Sequence, residues 1–295
     1  MPRLRSLVLE ELSFENGRGR SNSQSVALAK LEKLAFKRFK QTLKVASGAF
    51  KEILALFSEI GELHLSKVPL RSSTLYLGPG VALRVRSIVM EYMDIPLHHL
   101  ICHNQALRLH TDTFESLSVT CNTEPHIRDL GKVNQVFGAA IRHLEIDMSL
   151  RHVDRRWYIA PRWEEAHFEC LTGLRSASLI MHEFWRHPLP GCLAVLRAFV
   201  TCKSPVQEVT LVFAVEEGPM ASITDFPPLY WREAGVILKG LKHLEKVFVF
   251  WNDFHLPMNT TPSCSLTRLT FGADLRKYIR SKLPELQAKG MLWFD

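Results

Sequence analysis

Apolar residues recur along this chain in one short pattern: apolar, two mostly polar residues, apolar, one variable residue, apolar. It reads LRSLVL from Leu4, LEKLAF from Leu31, IGELHL from Ile60, VRSIVM from Val85 and FESLSV from Phe114. It continues as IRHLEI from Ile141, LRSASL from Leu174, VQEVTL from Val206, LEKVFV from Leu244 and LTRLTF from Leu266. Successive starts lie 27, 29, 25, 29, 27, 33, 32, 38 and 22 residues apart. The last two apolar positions of each unit are two apart, which is the strand period. They predict a short strand with both side chains on one face and the residue between them pointing away. Between the strands the period becomes helical. Phe50, Ile53, Leu54 and Phe57 fall at i, i+3, i+4, i+7, as do Val133, Val136, Phe137 and Ala140, and Ala234, Ile237, Leu238 and Leu241. A further stripe runs through Trp163, His167, Cys170, Leu171 and Leu174.

One strand and one amphipathic helix cannot bury an apolar face alone, so repeated units are expected to stack and share a core. The pattern therefore predicts an α/β fold, a leucine-rich-repeat-like solenoid. Parallel strands would line its concave side, with helices and irregular loops on the convex side. The array is expected to be one repeat domain over 1–295, with 274–295 as a C-terminal cap: a polar helical stretch broken at Pro284, then a last short strand at Leu292–Phe294. Longer interruptions near 66–84, 150–162, 182–190, 216–231 and 252–264 are rich in Pro, Gly, His or Trp and suit surface connections. The position eight after the first apolar residue, where such repeats usually carry Asn, holds it only at Asn122 and Asn252, so the repeats are degenerate.

These ten units, the aromatic-rich interruptions and the ending LPELQAKGMLWFD resemble the repeat regions that follow an F-box in large protein families of mushroom-forming fungi. The resemblance covers most of the chain. An F-box is a three-helix module opening on a Leu-Pro signature; here residues 1–9 already read as a repeat strand. What the resemblance implies is the substrate-recognition part of an F-box-type protein, without the ligase-docking part. Because Leu4, Leu7 and Leu9 enter a strand at once, an upstream module or self-association is expected to cover that first edge.

Composition is that of a folded globular chain: 295 residues, 46% hydrophobic and 23% charged. No run of eighteen apolar residues occurs and no cleavable leader pattern is read at the start, so neither a membrane span nor a signal peptide is expected, and a cytoplasmic or nuclear location follows. The six cysteines form no C-x-x-C pair and are expected to be free, mostly buried thiols.

The net charge of +7 is uneven: residues 1–50 hold ten Lys/Arg against four Asp/Glu. Lys30, Lys33, Lys37, Arg38, Lys40 and Lys44, with Phe36 and Phe39 interleaved, are a candidate contact for a polyanion, either nucleic acid or an acidic membrane surface. A solvated face beside a buried repeat is the favoured reading of that segment, and nucleic acid is not the expected partner. A second candidate set is specific to a stacked-strand fold. The residue after the first apolar position is Arg5, Arg86, Arg142 and Arg175 in four units, and Glu32, Glu115, Gln207 and Glu245 in others. Such a ladder of Arg and Glu would read a charged peptide through forked hydrogen bonds, or would simply form a self-compensating surface. Arg5, Arg86, Arg142, Arg175, Glu115 and Glu245 are taken as the candidate protein-binding residues.

Templates for catalysis are missing. The chain has no phosphate-binding glycine loop, no G-x-S-x-G elbow and no H-E-x-x-H helix. His98, His99, Cys102 and His103 are the densest metal-capable group, but Pro96 and the apolar filler around them favour a polar strand or turn edge over zinc. His182, Glu183, Trp185 and His187 read as a surface loop. No enzyme activity, cofactor or metal is expected, and the leading expectation is a protein-interaction module whose partner the sequence does not name.

Overall fold

The computed structural model describes residues 4–11, 29–38, 50, 52–68, 83–91, 110, 112–121, 123–148, 162–182, 188–215, 228–253, 273–274 and 276–294. Ten strands lie in this part of the chain: β1 (Ser6–Glu10), β2 (Ala29–Lys37), β3 (Phe57–Ser66), β4 (Arg84–Glu91), β5 (Ser116–Thr120), β6 (His143–Asp147), β7 (Ser176–His182), β8 (Glu208–Val215), β9 (Lys246–Asp253) and β10 (Leu292–Phe294). They form one parallel sheet in unbroken chain order.

The register explains why the pattern works. The first of the two strand-period apolar residues makes a continuous row, Leu7–Leu34–Leu63–Ile88–Leu117–Leu144–Ala177–Val209–Val247–Leu292. The second makes a parallel row, Leu9–Phe36–Leu65–Met90–Val119–Ile146–Leu179–Leu211–Val249–Phe294. Away from the two sheet ends these side chains are buried, in one hydrophobic cluster that runs from Leu31 to Leu292. From β2 to β9 the first apolar residue of the unit also enters it: Ile60, Val85, Phe114, Ile141, Leu174 and Val206 are each 0–1% exposed, and Leu31 and Leu244 are buried at 4% and 9%.

Helices supply the other side of that core. They are α1 (Glu124–Phe137), α2 (Pro188–Thr201), α3 (Pro228–Gly240) and α4 (Pro284–Ala288). The start of α1 is set by Thr123, whose hydroxyl accepts from the His126 amide, with Pro125 in the first turn where no amide donor is needed. Ile127, Leu130, Val133 and Phe137 form its buried stripe, and Phe137 meets Phe114 edge-on with centroids 5.5 Å apart. Successive helical segments are linked by ion pairs: Arg128 with Glu165, Arg197 of α2 with Glu233 of α3, and Lys239 of α3 with Glu285 of α4. These pairs are exposed, so they orient neighbours more than they stabilise the fold.

Between α1 and the following segment the backbones nearly touch. A Cβ on Gly131 would sit 1.9 Å from the Glu165 carbonyl oxygen, and one on Gly138 would sit 2.5 Å from that of Cys170. Asn134, fully buried, donates its amide to the Ala166 carbonyl at 2.7 Å. Arg128, Gly131, Asn134 and Gly138 thus make a docking stripe distinct from the apolar one.

Three sequence expectations need correction. The stripe from Trp163 to Leu174 is not an α-helix: it is two short 3-10 turns, Trp163–Ala166 and Phe168–Cys170, joined at His167 with φ 50°. The buried side chains there are Trp163, Ala166, Phe168, Leu171 and Leu174, because a tighter helix brings i and i+3 onto one face. Val136 is 55% exposed, since the docking stripe rotates α1 away from the phase its aliphatic residues suggest. The strand beside β9 is Leu292–Phe294, not the LTRLTF unit, whose residues 266–271 lie outside the described part. Ahead of that strand, 276–282 and α4 are helical, as the polar C-terminal stretch predicts.

At the other end, β1 has β2 on one side and no strand on the other among the described residues. Leu4 and Val8 there are 62% and 50% exposed. None of the described helices is long and apolar enough to cross a membrane.

The thiols of Cys121, Cys170, Cys192 and Cys202 are free; Cys102 and Cys264 lie outside the described residues. Burial pushes the Cys192 thiol up to about 12. Burial also raises Cys121, with the nearby carboxylates of Asp147 and Asp129 adding to the effect. Only the thiolate reacts with an alkylating agent. Iodoacetamide at mildly alkaline pH should therefore modify the half-buried Cys170 and Cys202 first, and reach Cys121 and Cys192 only after unfolding. Peptide mapping of the carbamidomethylated sites over time checks this order; early labelling of Cys192 would contradict the packing of α2.

Candidate interaction surface

Every buried strand residue leaves its neighbours pointing to the opposite face. Three rows of side chains run across that face in register. The first is Ser6, Lys33, Glu62, Ser87, Ser116, His143, Ser176, Glu208 and Lys246. The second is Val8, Ala35, His64, Val89, Ser118, Glu145, Ser178, Thr210, Phe248 and Trp293. The third is Glu10, Lys37, Ser66 and Glu91 over β1–β4 and Thr120, Asp147, Ile180, Val212 and Phe250 over β5–β9.

The chemistry changes along these rows. Over β1–β4 the face is salt-bridged. Lys33 pairs with Glu62 at 2.6 Å, Arg38 with Glu10 at 2.7 Å, and His64 lies 3.3 Å from Glu91. The closeness of the His64 ring is the largest effect holding the Glu91 carboxyl below the usual range, against the opposing pull of desolvation, and Ser66 and Lys37 add to the lowering. Over β5–β7 the face becomes hydroxylic and acidic. Ser118 donates to Glu145 at 2.7 Å, Thr120 to Asp147 at 3.5 Å, and His143 Nδ1 lies 2.8 Å from the Ser176 hydroxyl. Over β8–β10 the second and third rows become apolar and aromatic beyond Thr210, while the first row keeps the Lys246–Glu208 ion pair at 3.1 Å. Phe248 stacks on Phe250 with centroids 6.0 Å apart and leans on Trp293 at 6.5 Å, while Ile180 and Val212 are half-buried beside them. Trp293 is 51% exposed.

The sequence-predicted ladder occupies a different place. Arg5, Glu115, Arg142, Arg175, Gln207 and Glu245 sit just before their strands, while Glu32 and Arg86 lie early in β2 and β4. All eight are exposed. Their backbones form one rail: the Arg142 carbonyl accepts from the Arg175 and Ser176 amides, Arg175 from Gln207 and Glu208, and Gln207 from Glu245 and Lys246. The candidate residues Arg5, Arg86, Arg142, Arg175, Glu115 and Glu245 are therefore gathered along the leading edge of the sheet, instead of lining its face. Arg5 approaches Glu32 at 3.7 Å. The face is lined by the residue between the two strand-period apolar positions and by those flanking the pair, and the same six-residue unit carries that signal.

Of the basic candidates, Lys30 pairs with Glu59 at 2.7 Å, and Lys33 and Arg38 pair as above. The hydrogen bond from Lys30 is the largest effect lowering the Glu59 carboxyl; desolvation opposes it, and the fields of Arg84 and Arg86 add to the lowering. Lys37 lies on the sheet face near Glu91. Lys40 and Lys44 lie outside the described residues, as do His98, His99, Cys102, His103, Glu183, Trp185 and His187. Among the described residues no group of three or more His, Cys, Asp or Glu side chains is placed to hold a metal ion. Comparison with family models, with curated proteins and with solved structures finds no match for this chain, and the side-chain geometry above is what bears on its function.

Proposed function

We propose that this chain is a non-enzymatic protein-interaction module, a leucine-rich-repeat-like solenoid that binds a protein partner across the face of its sheet. The observation that supports this most is the graded face itself. Ten in-register strands present salt-bridged, then hydroxylic and acidic, then aromatic side chains as one continuous band. A band of that length offers many weak contacts and aromatic anchors of the kind found at protein interfaces. The likeness of the repeats to those of F-box-type proteins makes substrate recognition the natural role: the chain holds a target for chemistry performed elsewhere. Polyanion binding through 30–44 is the weaker reading, because Lys30, Lys33 and Arg38 already face carboxylates at 2.6–2.7 Å.

Affinity capture from native extract tests the proposal when run on three proteins: the parent, a Ser178→Arg variant in the middle of the face, and a Val236→Arg variant on the exposed side of α3. The expected result is a protein retained by the parent and Val236→Arg and lost with Ser178→Arg, all three having the same circular dichroism. Retention by Ser178→Arg together with loss by Val236→Arg would move the interface to the helical side. Capture of nucleic acid that vanishes steeply between low and moderate salt would favour the polyanion reading.

A further inference from the structure

We infer that the occupant of this face is an extended peptide segment of a partner protein, carrying a Lys or Arg about four residues from a large apolar anchor. The inference rests on the protein-interaction reading above and adds to it the chemistry of the partner.

Charge complementarity carries the basic half. Among the described side chains, the outward positions of β5, β6 and β7 hold hydroxyls, His143, Ile180, Glu145 and Asp147, and no Lys or Arg. Glu145 has no cationic partner among the described residues, in contrast with Glu10, Glu62 and Glu208 on β1–β4 and β8–β9, which each have one within 3.1 Å. Glu145 sits at the centre of the middle row with its partner Ser118 using one carboxylate oxygen at 2.7 Å. A hydroxyl leaves the negative charge in place, so an incoming guanidinium or ammonium group would find an oriented, uncompensated carboxylate.

The apolar half follows from the aromatic ledge. Phe248 stacks on Phe250 and lies tilted against Trp293, and the two phenylalanines are continuous in register with Thr210 and Val212 on β8. Phe248 and Phe250 are half-buried and Trp293 is exposed, and an aromatic ledge partly open to solvent is a common seat for an apolar anchor. Glu145 on β6 and Phe248 on β9 are three strand spacings apart, which is about 14 Å. An extended chain spans that distance in about four residues, and this sets the spacing between its cation and its anchor.

The test pans a random dodecapeptide display library on the full chain and measures the enriched peptides by fluorescence anisotropy. Enriched peptides should pair Lys or Arg with Leu, Phe or Trp at that spacing. Glu145→Gln keeps the shape and the Ser118 contact, and should weaken them about fivefold to tenfold; Phe250→Ala should weaken them about tenfold or more. Glu145→Lys should redirect selection toward acidic peptides. Unchanged thermal midpoints would confirm that the variants fold. Enriched peptides without a basic residue, or peptides that both variants bind as the parent does, would overturn this inference while leaving the interaction reading in place. No enrichment on the parent chain would overturn both.

Discussion

Leu144→Ala should destabilise the protein by about 2–5 kcal/mol, the usual cost of removing a buried leucine and leaving part of its cavity. Leu144 is 2% exposed and stands mid-sheet between Leu117 of β5 and Ala177 of β7. The alanine on one side cannot reach into the space that truncation opens, so little of the cavity is refilled. Glu145, the next residue, points to the opposite face, and among the described residues its side chain bonds to Ser118 alone. Glu145→Ala should change stability by no more than about 0.5 kcal/mol, as surface substitutions generally do. Urea unfolding of the two variants, compared at equal slope, checks the pair. Equal shifts would mean that the alternation of buried and outward residues is wrong at β6, and with it the row that defines the interaction face.

Gly131→Ala should also destabilise, by about 1–3 kcal/mol, the range typical of forcing an extra carbon into packed structure. Helix propensity alone predicts the reverse, because alanine is favoured over glycine inside a helix by about 1 kcal/mol. What decides the sign is the Glu165 carbonyl, 1.9 Å from where the new Cβ would lie. The neighbour that must move is backbone, held nearby by the Asn134–Ala166 hydrogen bond at 2.7 Å. Val136→Ala on the exposed side of the same helix is the control and should be close to neutral. Thermal unfolding of both variants distinguishes the outcomes, and a stabilised Gly131→Ala would show that α1 does not dock on the turn after Arg162.

These expectations draw on different depths of information. The strand phase of the first nine units was legible from sequence, because L-x-L spacing is local. A strand with one buried face must alternate, and repetition at about 29 residues leaves little choice but stacking in order. The residue between the paired apolar positions was readable as outward on the same ground. Other features depended on partners far along the chain. The strand beside β9 is fixed by the pairing of Leu292 with Val247, while the pattern match at Leu266 falls on residues outside the described part. The stripe through Trp163 carries helical spacing, yet its backbone takes two 3-10 turns where it meets the carbonyl-facing glycines of α1. The ladder of Arg and Glu was found as a set, but its position on the edge depends on where each strand begins. The sequence by itself determined the alternation, the repeat and the order of the strands, since these follow from period and chain connectivity. Only the tertiary structure decided how the face is graded from acid to aromatic and which helix docks backbone to backbone, because both arise from side chains and carbonyls that meet across neighbouring units about thirty residues apart.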